Sequence, residues 1–350
     1  MKHTKGDLRQ MQSLPLSAKI LMTKQRIKAW YDYWDGQVYV SFSGGKDSTV
    51  LLHIARELYP DIEAVFVNTG LEYPEIQQFV KTFDNVTILR PEMRFDEVIK
   101  KYGYPIISKE VSECVYQGRL GMKRNDGTCS YRLKKLLGTA KDKNGNKSIF
   151  NKEKYKPLLY TDFVCSHYCC NVMKKKPVKA YAKETGKKPI TAQMASESKM
   201  REQQWIKNGC NGFEMKSPIS NPISFWTEQD VLHYIKDNNL PIASVYGDIA
   251  YKDNSDQIRL FENNEEQLCT TGCDRTGCIF CAFGAHLDER GGGQSRFIRL
   301  KETHPKQYKY CIGGGEYDEN GIWRPNKQGL GMGHVFDELN KIYGEDFIKY

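Results

Sequence analysis

The chain has 350 residues, 39% of them hydrophobic and 27% charged, with a formal net charge of +9. That length can bury a substantial core and suits one large or two ordinary domains, and the composition is that of a soluble protein, not of a disordered or fibrous one. No run approaches the ~18 apolar residues of a membrane span, and the start MKHTKGDLRQ lacks the apolar core of a signal peptide, so the expectation is a cytoplasmic chain with no membrane partner.

Residues 1–35 read as a helical lead-in, with Ile20, Leu21, Ile27, Trp30 and Trp34 at loosely helical intervals. The stretch YVSFSGGKDSTVLL, residues 39–52, follows. Val38, Tyr39, Val40 and Phe42 read as a short buried strand, and Val50, Leu51, Ile54, Ala55 and Leu58 recur at helical spacing. The turn between them therefore opens a helix. Gly44 and Gly45 allow a close approach that a Cβ would forbid, so several backbone N–H groups can point at one anion beside the positive end of the helix dipole. Lys46 adds a mobile charge, and the hydroxyls of Ser43 and Ser48 add uncharged donors. The anion is most simply a phosphate. The spacing is not the common G-x-x-x-x-G-K-S/T loop, because Asp47 follows Lys46 and Val40 stands where the first glycine would fall.

SGGKDS resembles the pyrophosphate loop of the adenine nucleotide α-hydrolase superfamily, the ATP pyrophosphatases and sulfonucleotide reductases. In the hydrolysing members this loop holds the β and γ phosphates while a nucleophile attacks the α phosphate. The resemblance implies ATP with magnesium, oriented by Asp47.

IEAVFVNTG reads as a second buried strand ending in Asn68, Thr69 and Gly70, and VTILRP as a third, with helical patterns at Pro74 to Phe83 and Phe95 to Tyr102. Strand-helix alternation argues a parallel sheet with ligands at the carboxyl ends of its strands, and a site between Ser43 and Asn68 is expected. NTGLEYPE is similar to the segment that faces the adenosine in sulfonucleotide reductases and the sulfate-activating adenylyltransferase subunit. From Cys114 to Phe163 the pattern weakens, and KDKNGNK is a turn signal within an expected hairpin or insertion at 139–157.

Order returns at PLLYTDFVCSHYCCNVMKKKP. Beyond it, Ile190, Ala192 and Met194 could line a strand, and Ser196 could begin a helix with Lys199 in its first turn. MASESKMR resembles a reductase segment whose acidic-serine pair and arginine face the nucleotide or its sulfate, and the matching positions are Glu197, Ser198 and Arg201. Thr227 is an N-cap candidate before Val231, Leu232 and Ile235.

Eleven cysteines, an odd number, point to metal or redox chemistry in place of a disulfide framework. Cys269, Cys273, Cys278 and Cys281 fall inside thirteen residues, and thiolates suit zinc and iron-sulfur clusters equally, so spacing alone does not choose. Family members with a four-iron cluster supply a vicinal cysteine pair and a distant C-x-x-C pair. On that resemblance Cys169, Cys170, Cys278 and Cys281 hold a 4Fe-4S cluster, with Cys269 and Cys273 as alternates in a local four-cysteine zinc site. Cys114, Cys129, Cys165, Cys210 and Cys311 read as small buried or idle thiols.

GCIFCAFGAHLDERGGGQSRFIRLKETHPKQYKYC continues a resemblance to the phosphoadenosine phosphosulfate reductase-like family, which covers about Val38 to Cys311. Arg296, Phe297, Arg299, His304 and Tyr308 could flank a substrate entrance or simply lie on a surface helix. The fold class implied is α/β: a Rossmann-like doubly wound parallel sheet of the adenine nucleotide α-hydrolase type with a cysteine-rich C-terminal metal-binding region. Its divisions are a lead-in at 1–35, the α/β domain at 36–240 and the cysteine-rich region at 241–350.

The leading reading is an adenylating sulfurtransferase with Lys46, Asp47 and Arg201 as catalytic residues. Ser43 to Ser48 and Asn68, Thr69 and Gly70 form its nucleotide site. A sulfonucleotide reductase is the alternative. The intact loop and the absence of a cysteine after Cys311, where reductases carry an E-C-G-L/I-H-like tail, count against it. A nonenzymatic zinc-containing nucleic-acid binder is a third. The expected partners are a nucleotide, a tRNA or DNA acceptor, a sulfur-donor protein and a second copy in a homodimer. The lysine-rich runs from Lys141 and from Lys174 suit either a solvated face or a polyanion.

Overall fold

The computed structural model describes residues 3–122, 130–251, 267–290 and 293–350. The chain divides into two compact units, each assembled from separated stretches: Met1–Asn68, Glu72–Arg90 and Val178–Gly277 in the first, and Thr69–Leu71, Pro91–Pro177 and Cys278–Tyr350 in the second. Among the described residues no helix is long and apolar enough to cross a membrane.

The first unit is α/β. Its six-stranded sheet runs in the order Val86–Leu89, Ala64–Val67, Val38–Ser41, Lys188–Ile190, Ile219–Ser220, Asn211–Gly212. All neighbours are parallel except the last pair. Strand order therefore reverses between Val38–Ser41 and Lys188–Ile190, and in open parallel sheets ligands bind outside the carboxyl ends at such a switch point. Val38, Tyr39, Val40, Ala64, Val65 and Phe66 are buried, as near-continuous apolar strands covered on both faces must be. Helix Lys46–Leu58 buries Val50, Leu51, Leu52, Ile54 and Ala55.

The lead-in forms two helices, Lys5–Gln12 and Leu16–Tyr33. The second differs from its sequence reading: Leu21 is 64% exposed, and the inward row is Lys19, Thr23, Ile27 and Trp30. Lys19 is tolerated inside because its Nζ meets both Asp230 oxygens at 2.8 and 2.7 Å and the Gln12 carbonyl at 2.7 Å. Removing one member of such a buried pair costs about 3–5 kcal/mol, because the other charge is left buried without compensation. Asp230 also closes the capping box of helix Glu228–Asp237, whose N-cap is Thr227 as expected.

Three local expectations shift. The helix expected to reach Phe83 ends at Val80. The strand ends at Ile190, before Ala192 and Met194. The next helix, Lys199–Asn208, is capped by Ser198, whose side chain accepts the Arg201 N–H, and not by Ser196. KDKNGNK closes a small hairpin-like turn, with Lys141 bridged to Lys147 and the Asp142 N–H donating to the Asn146 carbonyl at 2.8 Å.

The second unit is mainly helical, with Lys109–Met122, Tyr131–Leu136, Arg296–Thr303, Pro305–Ile312 and Met332–Tyr343. Its organising element is the extended segment Tyr104–Ile107. On one side Tyr104 exchanges backbone hydrogen bonds with Val164 and Ser166, at 2.7 and 2.9 Å. On the other, Ile106–Ile107 pairs in parallel with Ala282–Phe283.

Candidate functional site

Around the phosphate loop, the strand Val38–Ser41 delivers Ser43 and Gly44, and Gly45 is the N-cap of helix Lys46–Leu58. Gly44 has φ +70°, and a Cβ there would lie 2.8 Å from Val80 Cγ2 and 2.9 Å from Ile76 Cγ2. Backbone geometry and space both require glycine. The loop is braced from within: the Ser43 N–H donates to Ser48 Oγ at 3.1 Å, and the Gly45 N–H to Ser43 Oγ at 3.3 Å. Ser48 Oγ donates to the Gly45 carbonyl at 2.9 Å.

Two further strand ends complete the surroundings. Past Ile190, Glu197 accepts the Met194 N–H at 2.9 Å and pairs with Arg201, while Arg275 stands 3.9 Å from its other oxygen. Arg201 and Arg275 are also close enough to favour the ionised form of Asp47. Burial dominates at Asp47, however, and holds its carboxyl above the usual aspartate range, aided by Glu228 and opposed by Lys46 and the two arginines. Asp47 Oδ1 is buried with no hydrogen-bond partner. Lys46, only 3% exposed, binds Glu228 at 2.9 Å and the Asp274 carbonyl at 2.6 Å.

Sequence reasoning missed Tyr246, Thr276, Glu228 and Arg275. The Lys46 N–H, one of the amides available to a phosphate, donates to the Tyr246 hydroxyl at 3.2 Å, and that hydroxyl lies 2.6 Å from Thr276 Oγ1. Burial pushes the Tyr246 phenol up to about 12, so it stays a neutral partner. Arg275 and Thr276 lie between Cys273 and Cys278, in a segment whose sequence signal is its cysteine spacing. Asn68, at the end of the second strand, donates its N–H to the Leu89 carbonyl at 2.8 Å. Thr69 and Gly70 pack in the second unit, where Thr69 Oγ1 accepts the Leu71 N–H at 3.2 Å.

The second unit gathers Cys169, Cys170, Cys278 and Cys281 around one small cavity of about 20 Å³. Leu71, Phe95, Pro105 and Met173 supply apolar walls, and Lys174 the charge. The convergence follows from Tyr104–Ile107: one neighbour of that segment leads into Cys169 and Cys170, and the other leaves Cys281. The Ile279 N–H donates to the Leu71 carbonyl at 2.8 Å and fixes the C-x-x-C turn further.

Cys169 and Cys170 have their sulfurs 3.9 Å apart. The Cys169 thiol donates to Cys170, and with Lys109 and Lys174 nearby this holds the Cys170 thiol below the usual cysteine range against the effect of burial. That same hydrogen bond, with burial, raises Cys169. Burial also raises Cys281, against the Phe283 N–H and the Arg296 charge. Arg296 is a clamp. Its Nε and Nη2 hold Asp288 at 2.7 and 2.5 Å, and its Nη1 donates to the carbonyls of Cys281 and Phe283 at 3.0 and 3.1 Å. Phe297 beside it is fully buried; Arg299 lies on the same helix, Arg296–Thr303, His304 joins it to the next, and Tyr308 lies on that next helix, Pro305–Ile312.

Cys269 and Cys273 fall in the first unit, Cys269 in the strand Leu268–Thr270 and Cys273 donating to the Arg275 carbonyl at 3.1 Å. Cys114, Cys165, Cys210 and Cys311 are buried thiols, as expected, and Cys129 lies outside the described residues. Among the described residues no three His, Cys, Asp or Glu side chains converge tightly enough for a single metal ion.

The phosphoadenosine phosphosulfate reductase domain matches residues 37–114 and 124–283. An adenosine 5′-phosphosulfate reductase of Staphylococcus epidermidis is 24% identical over 225 residues, 63% of this chain and 69% of the relative. An uncharacterised Methanocaldococcus jannaschii protein is 37% identical over 87 residues, 23% of this chain, and a second is 40% identical over 85 residues. The aligned parts span only 21% and 18% of those two relatives' lengths. Among solved structures, a phosphoadenylyl-sulfate reductase from Candida auris in a phosphate complex aligns over 72% of this chain and 95% of its own, at 16% identity and a TM-score of 0.37. With the reductase domain matched across more than half of its length, the chain belongs to the phosphoadenosine phosphosulfate reductase family within the PP-loop superfamily.

Proposed function

We propose that the chain is a PP-loop enzyme that binds ATP, transfers AMP to an oxygen of its acceptor with release of pyrophosphate, and lets sulfur displace the AMP. The observation that carries this reading is the intact SGGKDS loop at the carboxyl end of the first strand, with Lys46 held in place by Glu228 and the Asp274 carbonyl. Gly44, Gly45 and Lys46 present backbone N–H groups at a helix N-terminus, where the β and γ phosphates gain both hydrogen bonds and a favourable dipole. Phosphate oxygens would take over the Lys46 N–H from the Tyr246 hydroxyl. Arg201 and Arg275 supply charge opposite what develops on the leaving pyrophosphate. Activation is needed because a carbonyl or hydroxyl oxygen leaves poorly and AMP leaves well.

Asp47 fits a magnesium ligand, since a buried carboxylate oxygen without a partner is what a hard cation would use. Magnesium there would neutralise charge on the phosphates.

For the cysteines, the four thiols that line one cavity are a vicinal pair and a distant C-x-x-C pair, the pattern of family members that carry a four-iron cluster, and thiolates suit such a cluster. Cys169, Cys170, Cys278 and Cys281 would hold it, and it would supply a site for carrying or delivering sulfur.

Labelled ATP incubated with candidate acceptors decides the reaction. AMP and pyrophosphate are expected, and ADP as the only product would sink the adenylation step. The reductase reading draws support from the Staphylococcus epidermidis relative. It predicts sulfite from adenylyl sulfate in the presence of a dithiol, with no consumption of ATP.

A further inference from the structure

The second unit holds another cleft, of about 640 Å³, which the phosphate loop and the four cysteines do not use. That volume falls within the ~300–1,000 Å³ of ordinary ligand sites. Three tyrosines, Tyr102, Tyr116 and Tyr160, line it with Lys101, Arg119 and Arg324, and Asp318 is the single carboxylate. Arg324 is engaged with Asp318 at 3.0 Å, which leaves the charge of Lys101 and Arg119 uncompensated within the lining. Arg119 is anchored by its Nη2 to the carbonyls of Leu158 and Thr161, at 2.9 and 2.6 Å, and its buried Nε has no hydrogen-bond partner.

The aromatic wall is preset. Tyr102 and Tyr116 both pack on Tyr168, with ring centroids 5.0 and 5.3 Å away, and Tyr168 directly precedes Cys169. Tyr160 is 66% exposed, so its ring face is open to a ligand. It ends the helical turn Glu153–Leu159, and the segment Lys141–Lys156 that runs into that turn holds six lysines and two acidic residues, with Lys147 paired to Glu153 and Lys152 to Glu110. That segment also exposes Ile149 and Phe150, at 90% and 58%.

We propose that this cleft receives a base of a single-stranded nucleic acid, with the lysines of the 141–156 segment taking the flanking phosphates. Tyrosine faces beside uncompensated cations recognise a planar ring on an anionic backbone, and every base offers such a ring. A duplex buries those faces in its own stack and cannot offer them. In naming the acceptor class this deepens the sulfur-transfer reading and rests on it for its purpose, although the binding itself needs no ATP.

The test is fluorescence anisotropy with a labelled single strand of about twelve nucleotides, as RNA and as DNA, against a duplex of the same sequence and against heparin. Single strands should bind more tightly than the duplex. Tyr160→Ala should weaken them about tenfold while Tyr160→Phe keeps parental affinity, because the ring face and not the hydroxyl does the stacking. The pair Lys143→Gln and Lys156→Gln should weaken binding and flatten its salt dependence. Equal affinity of parent and Tyr160→Ala for the single strand would overturn the proposal, as would equal binding of duplex or heparin. Because Tyr160 is largely exposed, the alanine variant should melt as the parent does. The phosphate-loop variant Gly45→Val should retain strand binding, so a failure of adenylation and a failure of the cleft are read separately.

Discussion

In the first unit, six consecutive residues, Ser43 to Ser48, build the phosphate loop and satisfy much of one another's hydrogen bonding. In the second, the four thiols come from segments more than a hundred residues apart, Cys169–Cys170 and Cys278–Cys281, and meet only because Tyr104–Ile107 pairs with neighbours on both sides. The loop is a local structure placed by its sheet. The cysteine site is a product of the whole unit's folding, so any group bound there returns its binding energy to that fold. Loss of the ligand should therefore destabilise the second unit more than the first.

The largest effect expected from this difference is on the metal. Serine at Cys169 and Cys170, or at Cys278 and Cys281, should remove all iron and the brown colour from anaerobically purified protein and lower the melting temperature. Serine at Cys269 and Cys273 should leave iron content unchanged, since those thiols belong to the first unit. The reverse pattern, metal kept without Cys169 and Cys170 but lost with Cys269 or Cys273, would move the site into the segment from Cys269 to Cys281 and make a structural zinc the better account.

The matching perturbation of the first unit is steric. A Cβ at Gly45 would already stand 3.2 Å from Ser43 Oγ and from the Tyr246 hydroxyl, and the branches of valine would fill the space before the amides. Gly45→Val should abolish ATP binding by calorimetry with little change in iron or in melting. Gly44→Ala differs, because φ +70° and the contact with Val80 add backbone strain of about 1–3 kcal/mol, so it should lose stability as well. ATP binding by Gly45→Val at parental affinity would remove the loop from the nucleotide site.

Arg296 allows a gentler probe of the second unit. Arg296→Lys keeps the charge but cannot hold Asp288 with two nitrogens while serving the Cys281 and Phe283 carbonyls with a third. Iron content after anaerobic purification should stay near parental, and the half-life of the visible absorbance in air should fall several-fold. An unchanged half-life would reduce the clamp to a surface ion pair.

The same contrast governs what could be read in advance. The first three strands, the loop and its helix were legible because each rests on a short period of buried residues joined by glycine. Long-range partners were not. Leu21 looked like the inward residue of its helix, yet Lys19 is inside because Asp230, 211 positions away, is there to meet it. Ser196 was expected to begin the next helix, yet it lies in the short turn Ala195–Glu197, whose Glu197 is held by the Met194 N–H and by Arg201, and the helix is capped two residues later by Ser198. Tyr246 closes the short 3-10 turn Ser244–Tyr246 and Arg275 stands in a loop, segments without periodicity, where only the fold shows that they approach the phosphate turn. The cysteine pairs were matched by resemblance alone, and spacing would have favoured the four inside thirteen residues.

The smallest effect concerns a carboxylate in the first unit that does for its sheet what Asp288 does for the C-x-x-C turn. Glu63 accepts hydrogen bonds from Thr87 Oγ1, the Tyr181 hydroxyl and Lys187 Nζ, at 2.5, 2.5 and 2.6 Å, and so ties the third strand to the approach of the fourth. Burial alone would raise its pKa, but the bonds from Lys187, Thr87 and Tyr181 outweigh it and hold the group below the ordinary 4.5. A lowered folded pKa means that the unfolded chain binds protons more readily, so the stabilisation is fully present above 4.5 and is lost as pH falls through the lower folded value. Glu63→Gln keeps the shape and removes the charge. Its melting temperature should therefore lie a constant amount below the parent's from neutral pH down to about 5, and the gap should close in more acid solution as the parent's carboxylate is protonated. A gap of the same size at every pH would show that lost packing, and not lost charge, accounts for the difference.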